Sequence, residues 1–298
     1  MNTYAHTSYF PNISSFFQGR VFLKHLLLFL VFFQLSFMAN AQFPISEEKI
    51  EENSIYIANK AMAANFWLSP TDEGAIGVVC HAFGSYYTGT NTTVADNWIL
   101  QINNGAANMA WENIYFQMPV LLRFLLDERF NVYMGEAAKN HLLQLFFTHL
   151  NTHDYLSGGL WDISGSENHN AVRKSVDYLA ALALSKSDTY KDASFSDGSS
   201  VNDHITNGEA YWKGYFLSRA QKGLEVEIHS PTYSKYTLQC YYNLVDLSED
   251  ENLKKSANLY MHLYWADIAQ HFMAANDIVG GAMSRVYKKY IYQKYNQY

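Results

Sequence analysis

The segment WDISGSENHNAVRK, residues 161–174, places a polar turn directly before a helical pattern. Ser166 is a residue type that caps helix N-termini, and the apolar positions that follow repeat at intervals of three and four. Those positions are Val172, Val176, Leu179, Ala180 and Ala183. The segment therefore predicts a helix that begins near Asn168 and buries one face, with titratable side chains in its first turn.

Helical spacing recurs along most of the chain, and capping and proline signals set the expected bounds. We expect helices from Ser46 to Pro70, from Trp111 through a kink at Pro119, over 135–150, over 207–222, from Ser230-Pro231, and from a capping box at Ser248-Glu249-Asp250-Glu251 to about Met273. Glycines and Thr/Asn-rich runs at 71–108 predict loops with one brief helix near 94–102, and the glycines at 280 and 281 predict a loop with a short strand.

Successive helices joined by loops of varied length indicate an all-α fold. An α/α toroid, or a related array built from antiparallel helix hairpins, has this element pattern. The predicted helices are too few for a complete toroid. We therefore expect residues 42–298 to form one helical domain that is either a partial toroid or a fragment of a longer protein.

Residues 1–41 have the pattern of a signal peptide. Basic residues at 20 and 24 precede the apolar run Leu26–Phe37, and Ala39-Asn40-Ala41 has the small-x-small pattern that signal peptidases cut. The apolar run is short for a membrane span. We expect cleavage after Ala41 and a secreted or periplasmic protein without a stable membrane span, and an uncleaved N-terminal anchor is the alternative.

Charge and aromatic content narrow the range of partners. The chain has 21 Lys and Arg, and removal of Arg20 and Lys24 with the leader leaves 19 against 28 Asp and Glu, a net charge of −9. That balance argues against nucleic acid, although a local basic cluster can still bind an anionic substrate. Aromatic residues make up 16% of the chain. They suit either a polysaccharide or oligosaccharide cleft or packing between helices.

Cysteine and histidine positions give no firm cross-link or metal site. Cys80 and Cys240 allow one disulfide or two buried thiols. Seven histidines are scattered along the chain without convincing metal-ligand spacing, so we expect no metal and no other cofactor. These histidines are His81, His141, His149, His153, His204, His262 and His271.

A first candidate cluster is Asn168, His169 and Arg173. Free N–H groups and the dipole at a helix start favour an anion, and an amide, an imidazole and a guanidinium on one side of the helix suit a carboxylate. His169 extends the inward apolar stripe toward a hollow centre. In the alternative, Glu167 and Asn168 only cap the helix, and His169 packs in the core.

A second candidate cluster runs from Glu225 to Tyr236. Polar and apolar residues alternate over 224–228, which predicts an extended approach to a helix with Tyr233 and Tyr236 in its first turns. A tyrosine can act as acid or base when a neighbouring cation lowers its pKa. The cations nearest in sequence are Lys235, Arg219 and Lys222. The alternative is that these tyrosines serve packing alone.

Together the two clusters resemble the alginate lyases and heparinase II/III-like polysaccharide lyases, whose catalytic domains are α/α toroids. The resemblance covers residues 110–275 and rests on three motifs. They are an Asn-His pair at the start of a helix, Leu224-Glu225, and Tyr233-Ser234-Lys235-Tyr236-Thr237-Leu238. Glu167 stands where many of these lyases have Asn. The β-sandwich domain that usually follows the toroid is not found.

The resemblance implies β-elimination on a uronate-containing glycan without a metal. Asn168 and His169 would neutralise the uronate carboxylate, and Tyr233, or alternatively Tyr236, would be the base and acid. Substrate-binding roles fall to Glu167, Arg173, Tyr236, Trp161 and Arg285.

Two other functions remain open at this point. Paired carboxylates among Asp162, Glu167, Glu225 and Glu227 would suit a glycoside hydrolase. A non-catalytic glycan-binding or structural helical protein would need none of these groups for chemistry.

Overall fold

A computed structural model describes residues 46–63, 72–103, 111–152, 159–161, 166–230, 233–273 and 278–279. The predicted leader, Asp162 and Arg285 lie outside these residues. The chain divides into two compact units, Met1–Asn53 and Ser54–Tyr298. In the first unit, Ser46 caps a helix start by accepting the Lys49 N–H, and Lys49 pairs with Glu52 at 3.0 Å.

The described residues form an all-α fold with one very small sheet. Two-residue strands β1 (Phe272–Met273) and β2 (Ile278–Val279) pair antiparallel. None of the described helices is long and apolar enough to cross a membrane. The helices are α1 Glu47–Ala63, α2 Asp72–Thr88, α3 Thr92–Ile99, α4 Met118–Leu126, α5 Glu128–Asn131, α6 Glu136–Thr152, α7 Glu167–Ser185, α8 Val201–Lys222, α9 Ser234–Leu247 and α10 Glu251–Gln270, with a 3₁₀ segment at Trp111–Gln117.

Helix α7 is the centre of the second unit. It begins after the N-cap residue Ser166, as predicted, and contacts α4, α6, α8 and α9. Between 170 and 184 every residue except Arg173 is buried. The burial extends well beyond the one predicted apolar face, because neighbouring helices cover α7 on several sides.

Alternate helices pack side by side in the C-terminal half. Helix α7 lies against α9 and α8 lies against α10, while α7 also contacts α8 and α9 also contacts α10. Helix α4 contacts both α7 and α9. This packing holds the start of α7 near the segment that leads into α9.

The expectation of loops over 71–108 is wrong at Asp72–Thr88, which forms α2, whereas the brief helix expected near 94–102 is confirmed as α3. Three of the glycines that suggested loops, Gly74, Gly77 and Gly84, lie within α2. A side chain at Gly84 would meet the main-chain carbonyl of Ala58 in α1, so glycine permits close packing of the two helices. Burial of Val78, Val79 and Ala82 on α2 then stabilises a helix that its sequence disfavours.

Pro119 begins a helix rather than kinking one. It lies in the first turn of α4, directly after the 3₁₀ segment. Proline suits that position because its missing N–H would have no partner inside the helix. The Pro119 carbonyl accepts a hydrogen bond from Asn243 at 2.6 Å, which fixes α4 to α9.

Two helices begin at residues other than those predicted, because other side chains cap them. Helix α8 begins at Val201 rather than near 207, since Ser200 and Asp203 form a reciprocal capping box. Asp250, not Ser248, caps α10 by accepting the Leu253 N–H at 2.7 Å, and α10 ends at Gln270 rather than near Met273. The end of α8 at Gly223 is as expected, with φ at 116°.

The segment 224–230 forms turns instead of the predicted extended approach. Ile228 N–H donates to the Glu225 carbonyl, and Ser230 N–H donates to the Glu227 carbonyl. Val226 is 77% exposed while Glu225 is 4% exposed, so the two acids point inward and the apolar residue between them points out. Ser230 does cap the next turn, accepting Tyr233 N–H at 3.3 Å, but α9 itself begins at Ser234.

Both cysteines are free thiols, so the disulfide alternative is not realised. Cys240 is buried in α9, and burial raises the pKa of its thiol to about 12. Burial also raises the pKa of Cys80. Neither thiol is suited to act as a nucleophile, because the reactive thiolate form is disfavoured.

Candidate functional site

The two predicted clusters meet at the start of α7. Glu167 Oε1 pairs with Arg219 Nη1 of α8 at 2.9 Å, and Glu167 Oε2 accepts the Glu227 N–H at 3.2 Å. Asn168 Nδ2 donates to Glu227 Oε2 at 2.8 Å. We call Glu167, Asn168, Arg219, Glu225 and Glu227 the buried polar network. It ties the segment 224–230 to the first turn of α7.

Arg219 supplies the positive charge of this network. Its side chain is 4% exposed, and its guanidinium carbon lies 4.3 Å from the Trp161 ring centroid and 5.2 Å from that of Tyr215. Aromatic faces stabilise a guanidinium through cation–π attraction. Arg219 therefore neutralises Glu167 within a site that also shields both groups from water.

Glu225 is surrounded by phenol groups from three helices. The hydroxyls of Tyr215, Tyr241 and Tyr260 all hydrogen-bond to its carboxylate, Tyr215 at 3.3 Å and Tyr260 at 2.8 Å. Burial raises the pKa of Glu225, and the hydroxyls of Tyr241 and Tyr260 oppose that shift. Burial and then the charge of Glu225 raise the pKa of all three tyrosines. The tyrosines thus stay protonated as donors, which explains why an acid faces inward here.

His169, the next residue after Asn168, lies on the surface. Its ring centroid is 5.6 Å from Tyr115 and 4.8 Å from Phe116, and Phe116 is 4.3 Å from Tyr236. Tyr115 Oη also donates to the His169 carbonyl at 2.9 Å. We call Tyr115, Phe116, His169 and Tyr236 the aromatic ledge. It joins the 3₁₀ segment, α7 and α9.

Positive charge borders the ledge. Lys235 is exposed, and its ammonium lies 5.0 Å from the centroid of the Tyr236 ring. Arg173 is half-buried one helical turn after His169. An aromatic surface flanked by cations can bind a ligand that has both an apolar ring face and a carboxylate.

The structure divides the predicted site residues into two groups. His169 and Tyr236 share the ledge, whereas Asn168 is 0% exposed and is held by Glu227 and Ser166. Because His169 is exposed, it does not extend the inward apolar stripe as predicted, and the alternative in which it packs in the core is wrong as well. Tyr233 is half-buried just before α9, and Trp161 is exposed and donates its indole N–H to Ser218 at 3.0 Å.

Some site residues had no clear signal in the sequence. Tyr115 and Phe116 build the ledge, and their only signal was an aromatic pair shortly before Pro119. Tyr215, Tyr241 and Tyr260 lie at helical core positions, and nothing distinguished them from the other tyrosines of a chain that has 23. Their shared contact with Glu225 depends on three helices meeting, which local sequence does not encode.

Of the four acids proposed for a glycoside hydrolase, the three that the structure describes form hydrogen bonds in the protein interior. Glu167, Glu225 and Glu227 are all buried and hydrogen-bonded. A hydrolase needs one carboxyl group at the scissile bond and a second that can reach a water or the sugar. In this arrangement the three acids serve the packing of the network.

A serine, a histidine and an aspartate lie in contact at the start of α8. His204 contacts Asp177 through Nδ1 at 2.8 Å and Ser199 Oγ through Nε2 at 3.0 Å, the order of a hydrolytic triad. The Ser199 hydroxyl and N–H, however, both donate to Asp197, at 2.6 and 2.8 Å. The proton that a nucleophilic serine would pass to histidine is already donated to Asp197. We therefore assign these contacts a structural role, in which they hold the turn before α8.

Compared with protein-family models, with curated proteins and with solved structures, the chain gives no match in any of the three comparisons.

Proposed function

We propose that the protein is a polysaccharide lyase that cleaves a uronate-containing glycan by β-elimination at the aromatic ledge. The observation that supports the proposal is that the Phe116 ring packs on both His169 and Tyr236. Through it an imidazole from α7 and a phenol from α9 share one surface. These are the two side-chain types that the lyase resemblance assigns to charge neutralisation and proton transfer.

The ledge suits each step of the elimination. Aromatic faces pack against the C–H face of a sugar ring, while His169 and Arg173 lie where a uronate carboxylate can bind. Tyr236, as the phenolate, accepts the C5 proton, the C5–H electron pair forms the C4–C5 double bond, and the C4–O bond breaks. The leaving oxygen then takes that proton. Negative charge grows on the carboxylate during proton removal, so a cation beside it lowers the barrier.

Lys235 and the buried polar network support this chemistry from outside the reacting atoms. Lys235 supplies positive charge beside the Tyr236 phenol. Arg219 neutralises Glu167, so that acid does not repel a uronate at the ledge. Asn168 takes a positioning role, since it holds Glu227 against α7.

We also propose a partial α/α toroid and an exported protein. The side-by-side packing of α7 with α9 and of α8 with α10 supports a hairpin array of the toroid type. The pattern of residues 1–41 supports export to the periplasm or the exterior.

Unsaturated product is the direct test of the lyase proposal. The protein is incubated with a panel of polyuronates, including alginate, and ultraviolet absorbance follows the new double bond conjugated to the carboxylate. We expect turnover by the wild-type protein and a loss of at least about 100-fold in kcat for Tyr236→Phe, the range that one acid–base group contributes. Tyr233→Phe distinguishes the alternative base. Tyr242→Phe, an exposed tyrosine of the same helix, is the matched control.

Other outcomes have clear meanings. Reducing sugar released without an absorbing product favours a hydrolase. A folded protein that yields neither product across the panel contradicts the lyase proposal.

A non-catalytic glycan-binding protein is the second candidate, and the burial of Asn168 favours it. The lyase resemblance assigns Asn168 to the substrate carboxylate, yet its amide is inside the protein and bonded to Glu227. This candidate predicts that calorimetry detects binding of an oligouronate, that His169→Ala weakens it, and that no product forms.

A further inference from the structure

We propose a zinc-type metal site formed by His229, Asp267 and His271. His229 lies in the turn that leads toward α9, while Asp267 and His271 lie at the C-terminal end of α10. One ring nitrogen of each histidine and one carboxylate oxygen lie within 4.8 Å of one another. The aromatic ledge does not use these three residues, so the site stands independently of the lyase proposal.

The two imidazoles converge on one carboxylate. His229 Nε2 is 2.9 Å from Asp267 Oδ2, and His271 Nδ1 is 3.9 Å from the same oxygen. The ring centroids are 4.5 Å apart with an interplanar angle of 64°. Asp267 and His271 are four residues apart, a spacing that places them on one face at the end of the helix.

This donor set and spacing fit a small transition-metal ion. Zinc binds histidine nitrogen and carboxylate oxygen at about 2.0–2.2 Å, so two ligand atoms on one ion lie at most about 4.4 Å apart. The His229–Asp267 pair is within that limit, and an ion would take the place of the proton that His229 Nε2 now donates to the carboxylate. His271 is exposed, and a small rotation of its ring brings the widest separation within reach. Three protein ligands would leave one position of a tetrahedral ion for water.

A main-chain contact sets the tautomer of His271. Its Nδ1 lies 2.9 Å from the Asp267 carbonyl oxygen. Since a carbonyl only accepts, Nδ1 carries the proton, so Nε2 is the ring nitrogen of His271 that would bind the ion, and the 3.9 Å between Nδ1 and Asp267 Oδ2 only shows that the ring lies beside that carboxylate. Metal-binding histidines commonly donate their second ring nitrogen to a carbonyl in this way.

Spacing of histidines alone did not reveal this group. The sequence prediction of no metal weighed His271 among scattered histidines. The useful signal was Asp267, four residues before His271 near a predicted helix end, but the third donor comes from another segment. Only the fold brings His229 to that helix end.

Bound metal would fasten the segment 224–230 to α10. Tyr260 already holds Glu225 at 2.8 Å, and Tyr264 Oη donates to the Ile228 carbonyl at 3.1 Å. An ion shared by His229, Asp267 and His271 extends this row of contacts to the end of the segment. Because an ion that binds only the folded state stabilises it, zinc should raise the melting temperature.

Zinc titration of the full chain, purified without a histidine tag and stripped with a chelator, tests the site. Calorimetry and metal analysis should give one zinc per chain, with a higher Tm after zinc addition. His271→Ala should weaken binding by at least about tenfold and remove the Tm shift. Asp267→Asn, which keeps the side-chain volume, should show the same loss.

His262→Ala is the matched control, because His262 is an exposed histidine of the same helix. It should keep both zinc affinity and the Tm shift. Unchanged affinity in His271→Ala and Asp267→Asn means adventitious binding and overturns the site. Absence of zinc binding by the wild-type protein overturns it equally.

Discussion

The buried polar network and the aromatic ledge begin at neighbouring residues of one helix. Asn168 points into the protein and bonds to Glu227, while His169 lies on the surface against Phe116. An α-helix turns by about 100° per residue, so adjacent side chains face different surroundings. A sequence pair that resembles one catalytic unit is thus divided here between a structural role and a binding role.

The charged side chains are buried in the buried polar network and exposed at the aromatic ledge. In the network, Glu167 and Arg219 are buried and depend on each other, whereas Lys235 at the ledge is exposed. Breaking a buried pair leaves one charge without compensation, but losing a surface charge costs little. We therefore expect stability to depend on the network and ligand binding to depend on the ledge.

The largest expected effect is at Arg219. Arg219→Met leaves Glu167 buried without its cation and should lower the free energy of unfolding by about 3–5 kcal/mol. Urea denaturation followed by circular dichroism measures it. The double variant Glu167→Gln/Arg219→Met should recover part of the loss. Arg173→Met, the half-buried arginine of α7, should lose less than about 1 kcal/mol. Equal losses for the two arginines would remove the distinction between the regions.

The next effect is a change in pH dependence at Glu225. Burial raises the pKa of Glu225 in the folded protein, so folding favours its protonated form. Its contribution to stability is complete below the unfolded pKa, near 4.3, and declines as pH rises through the folded pKa. Glu225→Gln should therefore flatten the fall in unfolding free energy across that pH range. The control Glu249→Gln alters an exposed acid and should leave the slope unchanged.

The smallest effect on stability is expected at the ledge. His169→Ala removes ring contacts at the surface and should change the free energy of unfolding by no more than about 1 kcal/mol. Thermal and urea unfolding measure this change. A loss comparable to that of Arg219→Met would mean that the ledge is part of the core.

Helix caps and apolar spacing in the sequence correctly predicted those features that depend only on residues close together in the chain. Ser166 and the apolar spacing after it gave the start and direction of α7 correctly. Helix α2 was missed because burial of Val78, Val79 and Ala82 stabilises it, whereas its glycine content alone argued against a helix. The inward turn of Glu225 was missed because its donors come from α8, α9 and α10.

The candidate site shows the same limit. His169 and Tyr236 were both identified as candidates from residue type and position in a helix. Phe116, which joins them, lies in a separate segment before α4, so the shared surface required the fold. The burial of Asn168 likewise depends on Glu227, whose position follows from turns that alternation did not predict.

The most direct test of the central claim is an NMR titration of histidine-labelled protein with an oligouronate. If the ledge binds the glycan, the ring signals of His169 shift and saturate as the oligouronate is added. A neutral oligosaccharide of equal length leaves these signals unmoved. The double variant Tyr236→Phe/His169→Ala does not bind the oligouronate. Binding of the oligouronate with the His169 signals unmoved would contradict the assignment of the ledge as the glycan site.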